Sequence, residues 1–415
     1  MAAEFFNVQS VQGFLQTVSE LPQIQETEIL EAPWALHRIL AQSLKAPEDL
    51  PAFARAAMDG YAVQAADTFG SSEANPQYLQ KTQAVGIGVW PDFVLWPGQC
   101  APIVTGAVLP QGADSVLMQE YAHDLGQEEV EVRRPVAPGE NMLQKGEDCS
   151  QGSSLLAAGS RLRPQDLALL CSLGLSRVEV LRSPRLGIIS TGDELVPVQA
   201  EPGPGQIRDV NTYSIQAWLQ TAGFQSQSLG IVPDTLQELQ MVLEKGLQDC
   251  DALLLSGGSS VGYRDLTVQA LQALEDCEIL LHGVAISPGK PTILARQGSK
   301  IILGLPGQVT SVQVVLCILV LPLLQHLSGQ KGPLQPGGWQ VKKPAQLTRN
   351  IFSKQGREDY VRVSLQPGED GFDLAVPVMG KSGLLRTMLQ AQGLLRIPAE
   401  LEGLQKGAWA EVFLL

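Results

Sequence analysis

Three glycine-rich turns, each directly behind an apolar run, hold the residues best suited to chemistry. They are RLGIISTGDEL (185–195), DALLLSGGSSVGYRD (251–265) and KIILGLPGQVTS (300–311). Each pattern predicts a buried strand, a glycine turn and the start of a helix. Bare backbone N–H groups at the positive end of a helix suit an anionic oxygen ligand. Asp193, Glu194 and Asp265 lie in or near two of the turns. Donors beside carboxylates point to a divalent cation bridging protein to phosphate. No GxxxxGK[ST] pattern occurs, so none of the three is a P-loop.

The turns need a scaffold. Between 185 and 328, six apolar runs fit strands: 185–190, 227–232, 252–256, 279–282, 292–296 and 300–305. Helical spacing between several of them predicts a mostly parallel α/β sheet covered on both faces. Ligands of such sheets bind beyond the carboxyl ends of the strands, where all three turns fall. Asn211 is expected to cap the first helix, and Asp234 with Gln237 to form a capping box for the second. The run VVLCILVLPLL (314–324) is too short to span a bilayer and contains Pro322, so it is expected as a buried helix.

Around this unit the pattern changes. Residues 7–20 and 27–44 show helical spacing. From 51 to 140 short β-branched clusters alternate with Gly and Pro, and LRPQDLALLCSLGL (162–175) reads as a short helix. Residues 329–338 read as a flexible linker, and 339–415 as a small β-barrel. The expected fold is therefore a multidomain α/β protein. Its units are a helical and mixed domain (1–50 plus 140–182), an inserted β-rich domain (51–139), the α/β domain (183–328) and the barrel (335–415).

Composition limits the function classes. A chain of 415 residues is long enough for two to four domains. Its net charge of −14 argues against a general nucleic-acid or anionic-membrane binder, while leaving room for one small anion in a local basic pocket. Six scattered cysteines without CxxC spacing, and only four histidines, argue against a structural zinc site or a disulfide framework. The start MAAEFFNVQS lacks the pattern of a signal peptide, so a cytoplasmic protein is expected.

A more specific series runs through the chain: RAAMDGYAV (55–63), PIVTGAVLPQGADSVLMQE (102–120), KGEDC (145–149), ISTGDELV (189–196), GQIRDVN (205–211), SGGSSVGYRD (256–265), SPGKPT (287–292), GLPG (304–307) and GREDYVRV (356–363). In order and spacing it resembles the molybdopterin molybdenumtransferase family, bacterial MoeA and the E domains of gephyrin and its plant counterpart. The resemblance implies an enzyme of molybdenum cofactor biosynthesis. Its substrates are molybdate and adenylyl-molybdopterin, and AMP is released with Mg2+ assistance. It implies an elongated homodimer whose cleft lies between the α/β domain of one subunit and the N-terminal domains of the other. A molybdopterin adenylyltransferase acts upstream and apo-molybdoenzymes downstream.

The resemblance also implies roles for residues. Asp59, Thr105, Asp148, Asp265 and Lys290 fall at catalytic positions, and Asp193, Glu194 and Asp234 at the metal. Asp209, Asn211, Ser256, Gly257, Gly258, Ser259, Gly304, Pro306 and Gly307 line the pterin nucleotide and its anion pocket. Lys290, Ser311, Arg357 and Ser382 are candidates for the tetrahedral molybdate dianion, which needs converging cations and hydroxyls. Plain alternatives stand beside these roles. Asp59 precedes Gly60 in a turn, Asp265 suits a helix cap, Asp209 and Asn211 suit a turn and cap, and Thr105 suits a strand.

Four departures from the family pattern bear on function. Ser287 replaces the first lysine of KPGKP, Gln308 and Val309 replace the Asn-Pro of GLPGNP, Thr212 stands where an arginine often follows Asn211, and Ala56 replaces a serine. Losing one lysine removes a charge-assisted hydrogen bond of roughly 1.5–3 kcal/mol. The expected consequences are weaker molybdate binding, another basic residue in its place, or a diverged non-catalytic paralogue. The related adenylyltransferase is a poorer fit, because it resembles only residues 185–328.

Overall fold

The computed structural model describes residues 8–126, 128–257, 261–381 and 383–415, with side chains omitted for 261–265. At its centre six strands lie in the order Ser226–Val232, Leu186–Thr191, Ala252–Gly257, Lys300–Leu305, Ile293–Gln297 and Cys277–His282. They form where the apolar runs fall. The first four are parallel. Ile293–Gln297 runs against them and pairs antiparallel with both Lys300–Leu305 and Cys277–His282; only Gly298 and Ser299 separate Gln297 from its partner Lys300. A two-residue connection is too short for a parallel crossover.

Strand alternation divides the core between the two faces. Ile188, Leu254, Ile301 and Leu303 pack on the side of helices Val11–Ser19, Asn211–Thr221 and 309–327. Ile189, Leu253, Leu255 and Ile302 pack on the side of helix Leu236–Asp249 and the later turns of Val261–Ala273. Successive residues facing opposite ways, both apolar, are what a doubly covered sheet demands.

The helix Val309–Leu327 is long and apolar enough to cross a membrane by composition, yet 94% of its most apolar window is buried inside the protein. It widens into a π turn at Leu316–Val320, just ahead of Pro322. Proline has no N–H for the carbonyl four residues earlier and crowds it. That carbonyl, Ile318 O, instead accepts from Gly337 N at 3.3 Å.

The same bond corrects the expectation of a flexible linker at 329–338. Lys331 N donates to Gly159 O, Gly337 packs on the Phe413 ring, and Trp339 stacks on Phe224. The glycines there serve close packing. The helical expectation for 27–44 is also overturned. Thr27–Glu31 is a strand antiparallel to Arg177–Leu181, followed by a 3-10 turn at Ala32–Ala35. TEILE alternates between exposed and half-buried, and Pro33 blocks helix growth.

The β-rich unit is a six-stranded sheet in the order Ser115–Met118, Gly60–Val63, Gln99–Ile103, Gln77–Lys81, Glu129–Val132 and Ala122–Gly126. The C-terminal unit is a closed five-stranded barrel. Glu358–Pro367 pairs with both Asp373–Pro377 and Gly393–Ile397, and Lys342–Leu347 and Trp409–Leu414 complete the circuit. Ile286–Ser287 of the α/β unit pairs in parallel with Glu358 and Asp359, joining it to the barrel.

Candidate functional site

The carboxyl edge of the central sheet gathers residues from all three glycine turns. Asn211 opens helix Asn211–Thr221 without capping it, since the cap residue is Val210. Its Nδ2 donates to Ser256 Oγ at 2.6 Å and to Gly307 O at 2.8 Å, so one amide fastens the second turn to the third. The capping falls to Asp209, whose Oδ1 accepts from Thr212 N at 3.1 Å and from Ser190 Oγ at 3.0 Å. That carboxylate, expected against the ligand, is buried and committed inward. Gly304, Pro306 and Gly307 lie along the strand end and turn that the Asn211–Gly307 bond holds, and a Cβ at Gly304 would come within 3.2 Å of Ile293 Cβ.

Thr191 and Gly257 are paired at the ends of neighbouring strands. Three buried polar atoms on this edge have no hydrogen-bond partner among the described residues: Thr191 Oγ1, Asn211 Oδ1 and Asp234 Oδ1. Buried polar groups are nearly always satisfied, so three orphans on one edge mark a place for a ligand. The sequence reasoning missed Thr191 and its neighbour Ser190. Their signal is a pair of hydroxyls ending an otherwise apolar strand.

The acidic residues meet beside this edge. Asp234 N donates to Asp193 Oδ1 at 3.0 Å. Burial, then the charges of Asp193 and Glu194, raise the Asp234 carboxyl to about 6. The expected capping box at Asp234 and Gln237 is not formed. Thr235 is the cap, its Oγ1 accepting from Glu238 N, because its hydroxyl stands one residue closer to the helix. Asp234 is thereby released from a structural task. The Glu194 carboxylate folds back over Gly192, where a Cβ would lie 2.7 Å from Oε2. Among the described residues no group of three or more His, Cys, Asp or Glu is arranged to hold a metal ion as it stands. Still, an orphaned Asp234 oxygen among repelling carboxylates fits a hard cation, and Mg2+ needs only one or two carboxylates besides its waters.

A second cluster lies on the β-rich sheet. Asp59 Oδ1 accepts from Thr105 N and from Thr105 Oγ1, each at 2.7 Å. These two bonds hold the Asp59 carboxyl below its ordinary value. Both residues are exposed, so an ionised carboxylate is presented outward in a fixed pose. The turn depends on Gly60, because a Cβ there would fall 1.9 Å from Leu117 O. Asp148 stands apart from this pair, in a cleft with Leu50, Arg55 and Leu169, its N–H donating to Leu50 O.

The oxyanion candidates are less gathered than expected. Lys290 is exposed on a turn whose Gly289 packs on Val315 Cγ2. Ser311 is buried in the first turn of helix Val309–Val315. Arg357 is not available as placed. Its Nε lies 2.8 Å from Asp359 Oδ1, and Nη2 donates to Oδ2 at 3.3 Å. The shorter contact has ion-pair distance without hydrogen-bond alignment, since both of its atoms remain without a hydrogen bond. Gly258, Ser259 and Ser382 lie outside the described residues, as does the side chain of Asp265.

Fold and site together define a multidomain α/β protein whose glycine-turn edge suits an anionic ligand and which ends in a closed barrel. Comparison with known proteins narrows this class. Residues 8–174 match the MoeA N-terminal region (domains I and II), 187–326 a probable molybdopterin-binding domain, and 344–415 the MoeA C-terminal region (domain IV). The chain belongs to the MoeA family. It is 34% identical to a putative molybdopterin biosynthesis protein of Methanocaldococcus jannaschii, over 96% of this chain and 94% of that one. It is 32% identical to the molybdopterin molybdenumtransferase of Bacillus subtilis, over 94% and 90%. The solved molybdopterin biosynthesis MoeA protein of Pyrococcus horikoshii superposes with a TM-score of 0.83 at 30% identity, covering 99% of this chain and all of that one.

Proposed function

We infer that the protein is a molybdopterin molybdenumtransferase, taking molybdate and adenylyl-molybdopterin as substrates and releasing AMP. The observation that carries the reading is the trio of orphaned buried atoms, Thr191 Oγ1, Asn211 Oδ1 and Asp234 Oδ1, on the ligand edge of a chain of this family. The backbone of the turns at Gly257 and Gly307 suits the phosphates, and Asn211 holds the two turns in register. Asp193, Glu194 and Asp234 would hold Mg2+, which supplies charge neutralisation at the phosphoanhydride.

The rest of the proposal concerns the chain's own groups. Asp59 is ionised and oriented by Thr105, as a residue that orients an attacking water must be. Lys290 faces solvent, within reach of an incoming oxyanion. The exposed Asp59–Thr105 pair supports a homodimer in which it meets the α/β edge of the second subunit. We propose a cytoplasmic enzyme that receives its substrate from an adenylyltransferase and delivers the metal-bearing cofactor to apo-molybdoenzymes.

A single-turnover assay with adenylyl-molybdopterin, Mg2+ and molybdate tests this reading. Molybdate-dependent AMP release, reduced at least about 100-fold in Asp59→Ala, is expected. Tight nucleotide binding without turnover would replace the enzyme by a non-catalytic relative.

A further inference from the structure

A half-buried arginine outside the site described above spends none of its hydrogen-bond donors. Arg161 lies at a seam between the N-terminal unit and the segment that leaves helix Val309–Leu327. Its guanidinium stands over the Trp339 ring, 4.1 Å from the ring centre, and Trp339 stacks in turn on Phe224. Nε is buried without a hydrogen-bond partner, and no carboxylate pairs with the guanidinium among the described residues. Burial lowers its proton affinity. Stacking on an aromatic face offsets part of the cost of burying the charge. It uses the flat face of the guanidinium, however, and leaves the N–H groups, which point outward in its plane, unsatisfied.

The neighbours sharpen the reading. Lys331 N donates to Gly159 O at 3.2 Å, two residues before Arg161. The stem of Lys331 lies where a Cβ of Gly159 would fall, 2.5 Å from Cγ, so a second cation is carried to this segment. Lys331 is exposed and forms no ion pair among the described residues. Across the Ile39–Arg161 bridge stands His37, whose proton affinity is lowered by burial and then by the Arg161 charge. That charge is therefore felt locally and not cancelled. The residue before Lys331 adds an acceptor: Gln330 Oε1 is also buried without a partner among the described residues.

Two permanent cations with unspent donors, beside one unspent acceptor, describe a particular anion. The cations match a dianion whose oxygens accept, and the Gln330 oxygen needs a hydroxyl that donates. Hydrogenphosphate has both. Sulfate lacks the hydroxyl, and a carboxylate lacks the hydroxyl and the second charge.

We propose that this seam is a binding site for inorganic phosphate, held by Arg161 and Lys331 and read by Gln330. A phosphate there would tie residues 159–161 of the N-terminal unit to residues 330–331, and so fasten the N-terminal unit to the α/β unit. The inference is independent of the transferase reading.

NMR of the arginine Nε–H groups in the full-length protein tests it, with phosphate added at pH 7.5 and constant ionic strength. The Arg161 signal is identified by its loss in Arg161→Lys. Phosphate is expected to displace that signal saturably, and sulfate to do so at least about tenfold more weakly, because a buried acceptor then stays unsatisfied. Lys331→Gln, at an exposed position where folding is safe, is expected to weaken phosphate about fivefold. Gln330→Leu should abolish the preference for phosphate over sulfate. An Arg161 signal that phosphate does not move overturns the inference, and an equal response to sulfate or acetate overturns the assignment to phosphate. A signal that shifts on dilution of the protein alone would give the anion to a second copy of the chain, and would overturn the site as well.

Discussion

Partly buried charge gathers at two places, the carboxyl edge of the α/β sheet and the near side of the barrel, and is treated in opposite ways. At the carboxyl edge of the sheet, Asp234 is pushed up by burial and by Asp193 and Glu194, with no opposing cation among the described residues. At the barrel junction each carboxylate has its arginine, Glu358 with Arg396 and Asp359 with Arg357, and Arg362 has no carboxylate at ion-pair distance among the described residues. One place holds excess negative charge and the other excess positive. Neither excess helps the empty protein fold, since uncompensated buried charge is costly. At the edge, the proposed Mg2+ would offset the excess.

The sharpest way to break this contrast is to spoil the neutral part of the junction. Arg396→Leu leaves Glu358, whose side chain is 12% exposed, with only the Tyr360 hydroxyl. Stranding one partner of a buried pair costs about 3–5 kcal/mol; Arg396 is a third exposed, so about 3 kcal/mol is expected. Urea denaturation followed by Trp fluorescence measures it. Stability within about 0.5 kcal/mol of the parent would mean that water already screens the pair.

The two places were not equally legible in the sequence. The edge was readable because glycine turns behind apolar strands have one dominant meaning, and the acidic residues lie within a few positions of them. Even there, fine assignments failed: Thr235 took the cap expected of Asp234, and Asp209 took the one expected of Asn211. Neighbouring oxygen-bearing residues compete for a helix start, and propensity does not separate them. The junction was hidden. Arg362 and Ser287 are 75 positions apart in sequence, and only the parallel pairing of Ile286–Ser287 with Glu358–Asp359 brings them together. The strand at 27–31 was misread because TEILE followed by APWALHRIL satisfies helical spacing until Pro33 is given its weight. Its partner strand is about 150 residues away.

The acidic edge is tested through pH. Asp234 binds its proton more tightly in the folded chain, at about 6, than at its ordinary 3.8. Stability therefore falls as pH rises between those values, and the full penalty remains above about 6. Asp234→Asn is expected to stabilise the protein at neutral pH by about 1 kcal/mol, after discounting for partial solvent access, and to flatten the slope between pH 4 and 6. Millimolar Mg2+ should stabilise the parent at pH 7.5 and have less effect on the variant. Equal Mg2+ responses in thermal melts would remove Asp234 from the proposed cation site.

Asp59 sharpens the contrast as a third carboxylate, without an ion pair among the described residues but held by two donors from one threonine. Its proton affinity is lowered by those bonds, the backbone bond first, so it stays ionised throughout the neutral range. Thr105→Val removes the hydroxyl bond and keeps the backbone bond and the β-branched shape. The carboxyl should then move up toward its ordinary value, as read by carbon NMR titration of the side chain. Stability at pH 7 should hardly change, because the pair is exposed. If Asp59 works by orientation, the rate of AMP release should fall about tenfold with little change in substrate affinity. A titration shift without a rate change would make the Thr105 hydroxyl a turn-stabilising group and no more. The purpose of the fixed pose would then lie with the backbone N–H alone.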